Sequence, residues 1–184
     1  MTTVYISFDA EINLNTTEQL LGVTFNQIAH GATHIYYLFS TPGGFVAQGM
    51  TLYNTIRGLP VDVTMHNVGN VDSIGNAIFL AGRHRYACQH STFMFHGVAF
   101  NMAANTNLGQ KDLEEKLDSL LADQKRIGGI IADQTTLNSK QINGLFRQAQ
   151  TKNAAFALEK GIVHEIRDVA IPAGAPVVQL VFKR

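Results

Sequence analysis

Ser73 stands where a nucleophile could be activated. It follows Gly69-Asn70-Val71-Asp72, a segment predicted to turn, and opens a predicted helix of small and apolar residues at 73–81. The free N–H groups and the dipole of a helix N-terminus favour negative charge, so a serine there could attack a carbonyl beside a ready oxyanion site. The simpler alternative is that Ser73 only caps the helix, since serine is a favoured N-cap.

A nucleophilic serine needs a base within hydrogen-bond reach, and His96 is the best-placed histidine. It follows the predicted strand 92–95 and precedes Gly97, so it projects from the carboxyl end of a strand. The alternative is a strand-end histidine that bonds only to backbone. No pair among the seven histidines has the spacing of a metal motif such as His-Glu-x-x-His, and no metal or other cofactor is predicted.

A Gly-Gly turn could bind the negative charge that develops on the carbonyl oxygen during such an attack. Thr41-Pro42-Gly43-Gly44 follows the apolar segment 35–39, which is typical of a buried parallel strand. The N–H groups of such a turn can approach a ligand closely and bind an oxyanion. Ligands of open α/β sheets gather beyond the carboxyl ends of the strands, where this turn and Ser73 are both expected.

The elements that must position these residues alternate between strands and helices. Strands are predicted at 4–8, 35–39, 61–65, 86–88, 92–95 and 177–182, and helices after Asn15 and at 45–56, 73–81, 108–133, 138–148 and 153–160. This alternation predicts an α/β fold with a mainly parallel sheet. With 184 residues and no linker-like segment, the chain is expected to form a single domain over 1–184.

Composition limits the function classes. The formal net charge is zero, which argues against nucleic-acid binding and a polybasic membrane patch, and the single Cys88 excludes a disulfide framework within the chain. Charged residues make up 15%, against about 25% in an average domain, so we expect much of the surface to be covered in a homo-oligomer. Neither a signal peptide nor a membrane span is predicted, which favours a cytoplasmic protein.

Three motifs in order give the chain a family resemblance. Ser40-Thr41-Pro42-Gly43-Gly44, then Gly69-Asn70-Val71-Asp72-Ser73-Ile74-Gly75, then Met94-Phe95-His96 resemble the motifs of the Clp protease proteolytic subunit family, and the tail 141–163 is similar too. The resemblance covers nearly the whole chain from Val4 to about Ile166. It implies the ClpP/crotonase-like spiral of βαβ units, with a long handle helix at about 108–133.

The resemblance also implies roles for single residues. Ser73 matches the family's nucleophile and His96 its base, while the backbone N–H groups of Gly44 and Ile74 match its oxyanion hole. The implied partners are a peptide or unfolded protein as substrate, further copies of the chain in a ring, and an ATPase. The family also has a segment before its first strand that helps to dock an unfoldase. The first strand here begins at Val4, so weak coupling to an ATPase is expected.

The family's acid, which orients the base, has no counterpart at the matching position. Counting back about twelve residues from Gly161 reaches Ala149. Candidates to orient His96 instead are the neutral side chains Gln148, Gln150 and Asn153, and the carboxylate Asp72. A serine–lysine dyad with Lys152 or Lys160 is a further alternative. Gly97-Val98 also replaces the Gln-Pro that follows the family's base.

These observations leave three functions open. The first is a serine-type endopeptidase that forms an acyl-enzyme on Ser73, with reduced activity because of Ala149. The second is a catalytically degenerate scaffold or peptide-binding protein of the same fold. The third is a crotonase-type acyl-CoA enzyme, against which the Ser73–His96 pair counts because crotonases need neither residue at these points.

Overall fold

A computed structural model describes residues 2–99 and 107–182 of the chain. In these ranges eight strands form one sheet, in which one pair of strands is antiparallel and all other pairs are parallel. The predicted α/β class with a mainly parallel sheet is therefore confirmed.

The predicted strands and helices are present with shifted ends, and two further short strands, at Thr151–Asn153 and Glu165–Ile166, were not predicted. The strands are β1 Thr3–Asp9, β2 His34–Thr41, β3 Asp62–Asp72, β4 His84–Ala87, β5 Thr92–Met94, β6 Thr151–Asn153, β7 Glu165–Ile166 and β8 Val177–Gln179. Their order in the sheet is β6-β5-β3-β2-β1-β8, with β4 pairing with both β3 and β7, and the antiparallel pair is β5 with β6. The helices are α1 Leu14–Ala29, α2 Val46–Arg57, α3 Gly75–Phe79, α4 Gln110–Gln134, α5 Ser139–Gln148 and α6 Ala154–Glu159. None of these helices is long and apolar enough to cross a membrane.

β3 is longer than its sequence suggests, and the predicted turn at 69–72 is wrong. The strand continues to Asp72 because it has partners along its whole length. Residues 64–67 pair with β4, and residues 70–72 pair with β5, which continues along the same side. Across the strand, Val71 pairs with Thr41 after an irregularity in the β2 register. The carboxyl ends of β2, β3 and β5 thereby meet at one place.

Helix ends follow local capping chemistry. α5 begins with the predicted capping box of Asn138 and Gln141, each side chain accepting the other's backbone N–H at 3.0 Å. The N-cap of α1 lies two residues before the predicted one, because Asn13 rather than Asn15 exchanges such hydrogen bonds with Thr16. Local side-chain chemistry thus sets where these helices start, within a turn of the expected position.

The long helix α4 is only partly packed on the protomer. Ile127 and Ile131 in its second half are buried in the core, whereas Leu113, Leu117 and Leu121 are 51–54% exposed. The predicted handle helix is therefore present, and Gly128-Gly129 does not interrupt it. Its first half presents an apolar stripe with no covering element among the described residues.

Candidate active site

Ser73 occupies a strained turn between β3 and α3. Its φ of 58° lies in the left-handed region that glycine favours, and its N–H donates to the carbonyl of Met94 at 2.9 Å. The expectation that Ser73 opens or caps the helix is wrong, since α3 begins at Gly75 and its N-cap position is Ile74. The hydrogen bond across to β5 holds the serine in this strained conformation at the carboxyl edge of the sheet.

The Gly-Gly turn lies directly against this serine. A Cβ atom on Gly43 would be 2.6 Å from Ser73 Cβ and 2.9 Å from the Asp72 carbonyl oxygen, so only glycine fits there. The turn is clamped from its other side by Ile12, whose N–H donates to Gly43 O at 2.7 Å and whose carbonyl accepts from Phe45 N–H at 2.8 Å. The close approach of two main chains thus fixes the turn relative to Ser73.

Two backbone N–H groups are left free to bind an anion. In residues 2–99 and 107–182, no protein group accepts a hydrogen bond from Gly44 N–H or Ile74 N–H. Both residues line one cavity of about 80 Å³ together with Ser73 and His96. The structure therefore brings the four residues singled out by sequence around a common space, whose remaining wall is apolar and includes Val46, Phe95, Ile127, Ile131 and Phe146.

His96 is half-buried at the end of β5, and its ring is already engaged on one side. Its Nδ1 lies 2.7 Å from the carbonyl oxygen of Gly97, the next residue. Ser73 Oγ and His96 are not hydrogen-bonded to each other in this structure. Hydrogen bonds between catalytic groups are often long without substrate and tighten when it binds.

Asp72 is the acidic side chain nearest to this pair in sequence, and it is held by its own strand. Asn70 Nδ2 donates to its carboxylate at 2.7 Å. Burial raises the pKa of Asp72, while the hydrogen bonds from Asn70 and from the Met94 backbone, and the charge of His96, lower that pKa in part. Asp72 is therefore within electrostatic reach of His96, although Asn70 is the side chain that binds it.

The other proposed orienters are engaged elsewhere or point to solvent. Gln150 Oε1 accepts from Lys152 Nζ at 2.9 Å, and Asn153 Oδ1 caps α6 by accepting from Phe156 N–H at 2.9 Å. Gln148 is exposed. Lys160, the other candidate for a dyad, pairs with the neighbouring Glu159 at 2.7 Å. The structure brings none of these side chains onto the ring of His96.

Asn76 is a polar residue of the site that the sequence analysis did not select. Its side chain is buried, and its Nδ2 donates to the carbonyls of Ser73 at 3.1 Å and Met94 at 2.8 Å. It thereby ties the strained turn to β5. The available signal was an amide in an otherwise apolar helix, since a buried polar side chain must find partners.

Metal binding has no geometric support in the described ranges. No group of three or more His, Cys, Asp or Glu side chains there lies close enough together to hold an ion. The chemistry available at this site is that of a hydroxyl, an imidazole and two free N–H groups.

The comparisons with known proteins agree on one family. The family model described as Clp protease matches residues 2–170, which confirms the resemblance of the motifs. The ATP-dependent Clp protease proteolytic subunit 1 of Leifsonia xyli subsp. xyli is 25% identical over 139 residues, which are 74% of this chain and 68% of that protein. Subunit 2 of Chlamydia trachomatis serovar D is 28% identical over 110 residues, 59% of this chain and only 52% of the relative.

Proposed function

Because the chain belongs to the Clp protease family, we propose that it is a serine-type peptidase that cleaves peptides through an acyl-enzyme on Ser73. The observation that carries the proposal is the left-handed Ser73, which lines one cavity together with Gly44, Ile74 and His96. Left-handed backbone at a non-glycine residue costs free energy and tends to be retained where function requires it. A nucleophile on a tight strand-to-helix turn is one such case.

The chemistry follows from the four groups. As Ser73 Oγ forms a bond to the carbonyl carbon of the substrate, its proton passes to His96 Nε2. The carbonyl oxygen takes up the negative charge and accepts hydrogen bonds from Gly44 N–H and Ile74 N–H. When the intermediate collapses, the C–N bond breaks and His96 returns the proton to the leaving amine. Water then cleaves the ester by the same sequence with the same base.

A second candidate is a scaffold or peptide-binding protein without efficient catalysis. The observation that favours it is Ala149, which stands where the family has the acid that orients the base. Loss of that acid in serine proteases slows the reaction by about 10⁴, while the oxyanion site and the binding groups still contribute. We therefore expect slow hydrolysis, with peptides or activated esters as substrates. Ring assembly, an ATPase partner and a cytoplasmic location stay predictions.

A fluorophosphonate probe separates the two candidates. The peptidase is expected to be labelled at Ser73, and Ser73→Ala is expected to lose both labelling and the residual hydrolysis of an activated ester. Ser139→Ala is the matched control, since Ser139 is an exposed serine on α5. Equal and negligible reaction of all three proteins would establish the scaffold instead.

A further inference from the structure

The hydrogen bond of His96 decides which ring nitrogen carries the proton. A carbonyl oxygen can only accept, so Nδ1, at 2.7 Å from Gly97 O, must be the N–H of the neutral ring. Nε2 is then the unprotonated nitrogen, which is the form that a base needs to take a proton from Ser73. The backbone at Gly97 thus performs one of the two tasks that an acid performs in a serine protease, namely fixing the tautomer.

The Gly97 peptide is itself held in place. Its N–H donates to the carbonyl of Phe146 at 3.1 Å, in the last turn of α5. A Cβ atom on Gly97 would lie 3.0 Å from Gln124 Oε1 of α4, so the chain passes close to a second helix as well. The residue whose carbonyl accepts from His96 is therefore bonded to α5 through its N–H and packed closely against α4.

The residue at position 149 explains why no acid side chain takes this place. β5 and β6 pair antiparallel as far as Met94 opposite Thr151, and the pairing ends there. Ala149 is the exposed, left-handed C-cap of α5, and it stands at the position where the family has its acid. A methyl group cannot accept a hydrogen bond, so Nδ1 takes a backbone acceptor instead.

We propose that the backbone carbonyl of Gly97, anchored through the carbonyl of Phe146, is the group that positions His96 in place of an acid side chain. This inference rests on the proposed peptidase function. A carbonyl is neutral, so it orients the imidazole without supplying the full negative charge that stabilises the imidazolium. The geometry therefore predicts that His96 is correctly oriented as a base but that its imidazolium form is only weakly stabilised, which agrees with slow turnover.

The direct test reads the tautomer rather than activity. Long-range ¹H–¹⁵N NMR of the Ser73→Ala protein distinguishes Nδ1–H from Nε2–H, and His96→Ala assigns the signal. We expect His96 as the Nδ1–H form and the exposed His90 as the comparison ring. An Nε2–H form of His96 would overturn the inference. Failure of the probe to label Ser73 would instead remove the proposed function, so the two failures are distinguishable.

Variants of the rival orienters complete the test. Asp72→Asn, Gln148→Ala, Gln150→Ala and Asn153→Ser, the last of which retains a helix cap, are all expected to keep the Nδ1–H form. The three variants at residues 148, 150 and 153 are also expected to change kcat/KM by less than about threefold. Gly97→Pro removes the N–H that anchors the peptide, and we expect kcat to fall by about tenfold or more, with loss of the single tautomer. If one of the four rivals changes the tautomer, that side chain is the orienter and the inference is wrong.

Discussion

Ser73 and Ala149 share an uncommon backbone conformation. Within residues 2–99 and 107–182 they are the only non-glycine residues with positive φ, at 58° and 48°. Ser73 N–H is bonded to the carbonyl of Met94, two residues before His96, and Ala149 caps α5, the helix whose Phe146 carbonyl accepts from Gly97 N–H. Strain of this kind persists only where the surrounding structure imposes it. Substitutions at residues 73 and 149 can therefore be tested for their effect on the free energy of unfolding and, separately, for their effect on turnover.

Replacing Ser73 by glycine is expected to stabilise the protein while abolishing its activity. Left-handed backbone costs a residue with a Cβ about 1–2 kcal/mol, of which the greater freedom of glycine in the unfolded chain offsets a part. Ser73→Gly should therefore exceed Ser73→Ala in free energy of unfolding by about 1 kcal/mol, as measured by urea denaturation. The alanine variant is the control because it also lacks the hydroxyl but keeps the Cβ. Equal stabilities would mean that the turn is not strained in solution.

An acid introduced at residue 149 should raise turnover. Ala149→Asp places a carboxylate at the position where the family has its acid, and Asp and Asn are among the non-glycine residues that best tolerate a left-handed backbone such as that of Ala149. We expect kcat for an activated ester to rise at least about tenfold, since the charge that stabilises the imidazolium is restored. The acid limb of the pH–rate profile should also move to higher pH. Ala149→Asn, similar in shape and neutral, should change neither quantity.

The site residues predicted from the sequence are those that lie in motifs with a recognisable order and spacing. Ser73, His96, Gly44 and Ile74 were selected by motif order, and they surround one cavity. The left-handed conformation of Ser73 was missed because serine does not signal it, and because the preceding segment looked like a turn. The bond from His96 to a backbone carbonyl was beyond sequence reasoning, since every residue has such a carbonyl.

At the scale of elements, strand pairing explains most differences from the sequence pattern. Gly69 and Asn70 are typical of turns, yet tertiary pairing with β5 keeps them in β3. The three-residue strand β6 was not predicted, because so short a segment has no period of its own. Both features bear on the site, since β3 leads directly into Ser73 and β6 pairs with β5, the strand that leads to His96.

The sheet face around β2, β3 and β4 contains a fully buried histidine. His66 Nδ1 accepts from the Tyr36 hydroxyl at 2.8 Å, and its Nε2 donates to Arg167 O at 3.0 Å. Cys88 Sγ is 3.5 Å from the same Nε2, whose proton is already directed at Arg167, so His66 cannot act as a base for that thiol. The neutral ring links the sheet to the segment after β7.

This histidine predicts acid sensitivity. Burial lowers the pKa of His66 below its ordinary value of 6.5, and burial also lowers the pKa of His34 and His164. The unfolded chain therefore takes up protons first as the pH falls, so stability is full above about pH 6.5 and declines through the interval below it. The raised pKa of Asp72 acts with the opposite sign, in the more acidic carboxylate range.

The measurement is the free energy of unfolding at pH 8.0 and 5.5. Wild type should lose stability over this interval, and His66→Gln should lose less because one of the three groups is gone. The variant is expected to be the less stable protein at pH 8.0, since it gives up a ring with both nitrogens bonded. A stability that stays constant or increases as the pH falls to 5.5 would contradict the assignment of neutral, buried histidines.

For the whole molecule, α4 connects the candidate site to assembly. Its buried second half supplies Ile127 and Ile131 to the wall of the cavity, while its first half exposes the stripe of Leu113, Leu117 and Leu121. These three side chains recur at i, i+4 and i+8, so they lie along one face of the helix. A low overall charge and an apolar stripe on the same molecule favour burial against further copies of the chain.

A single charge on this stripe should therefore break the assembly. Leu117→Glu would bury an unpaired carboxylate at the contact, which costs several kcal/mol, whereas Ala122→Glu adds the same charge on the opposite, exposed face of α4. By sedimentation velocity at micromolar concentration we expect an oligomer for wild type and Ala122→Glu, and the 20.1 kDa protomer for Leu117→Glu. Far-UV circular dichroism should show a folded chain in all three, because Leu117 contributes little to the protomer core. A wild type that sediments as a protomer, or two variants that dissociate alike, would refute assembly through the stripe.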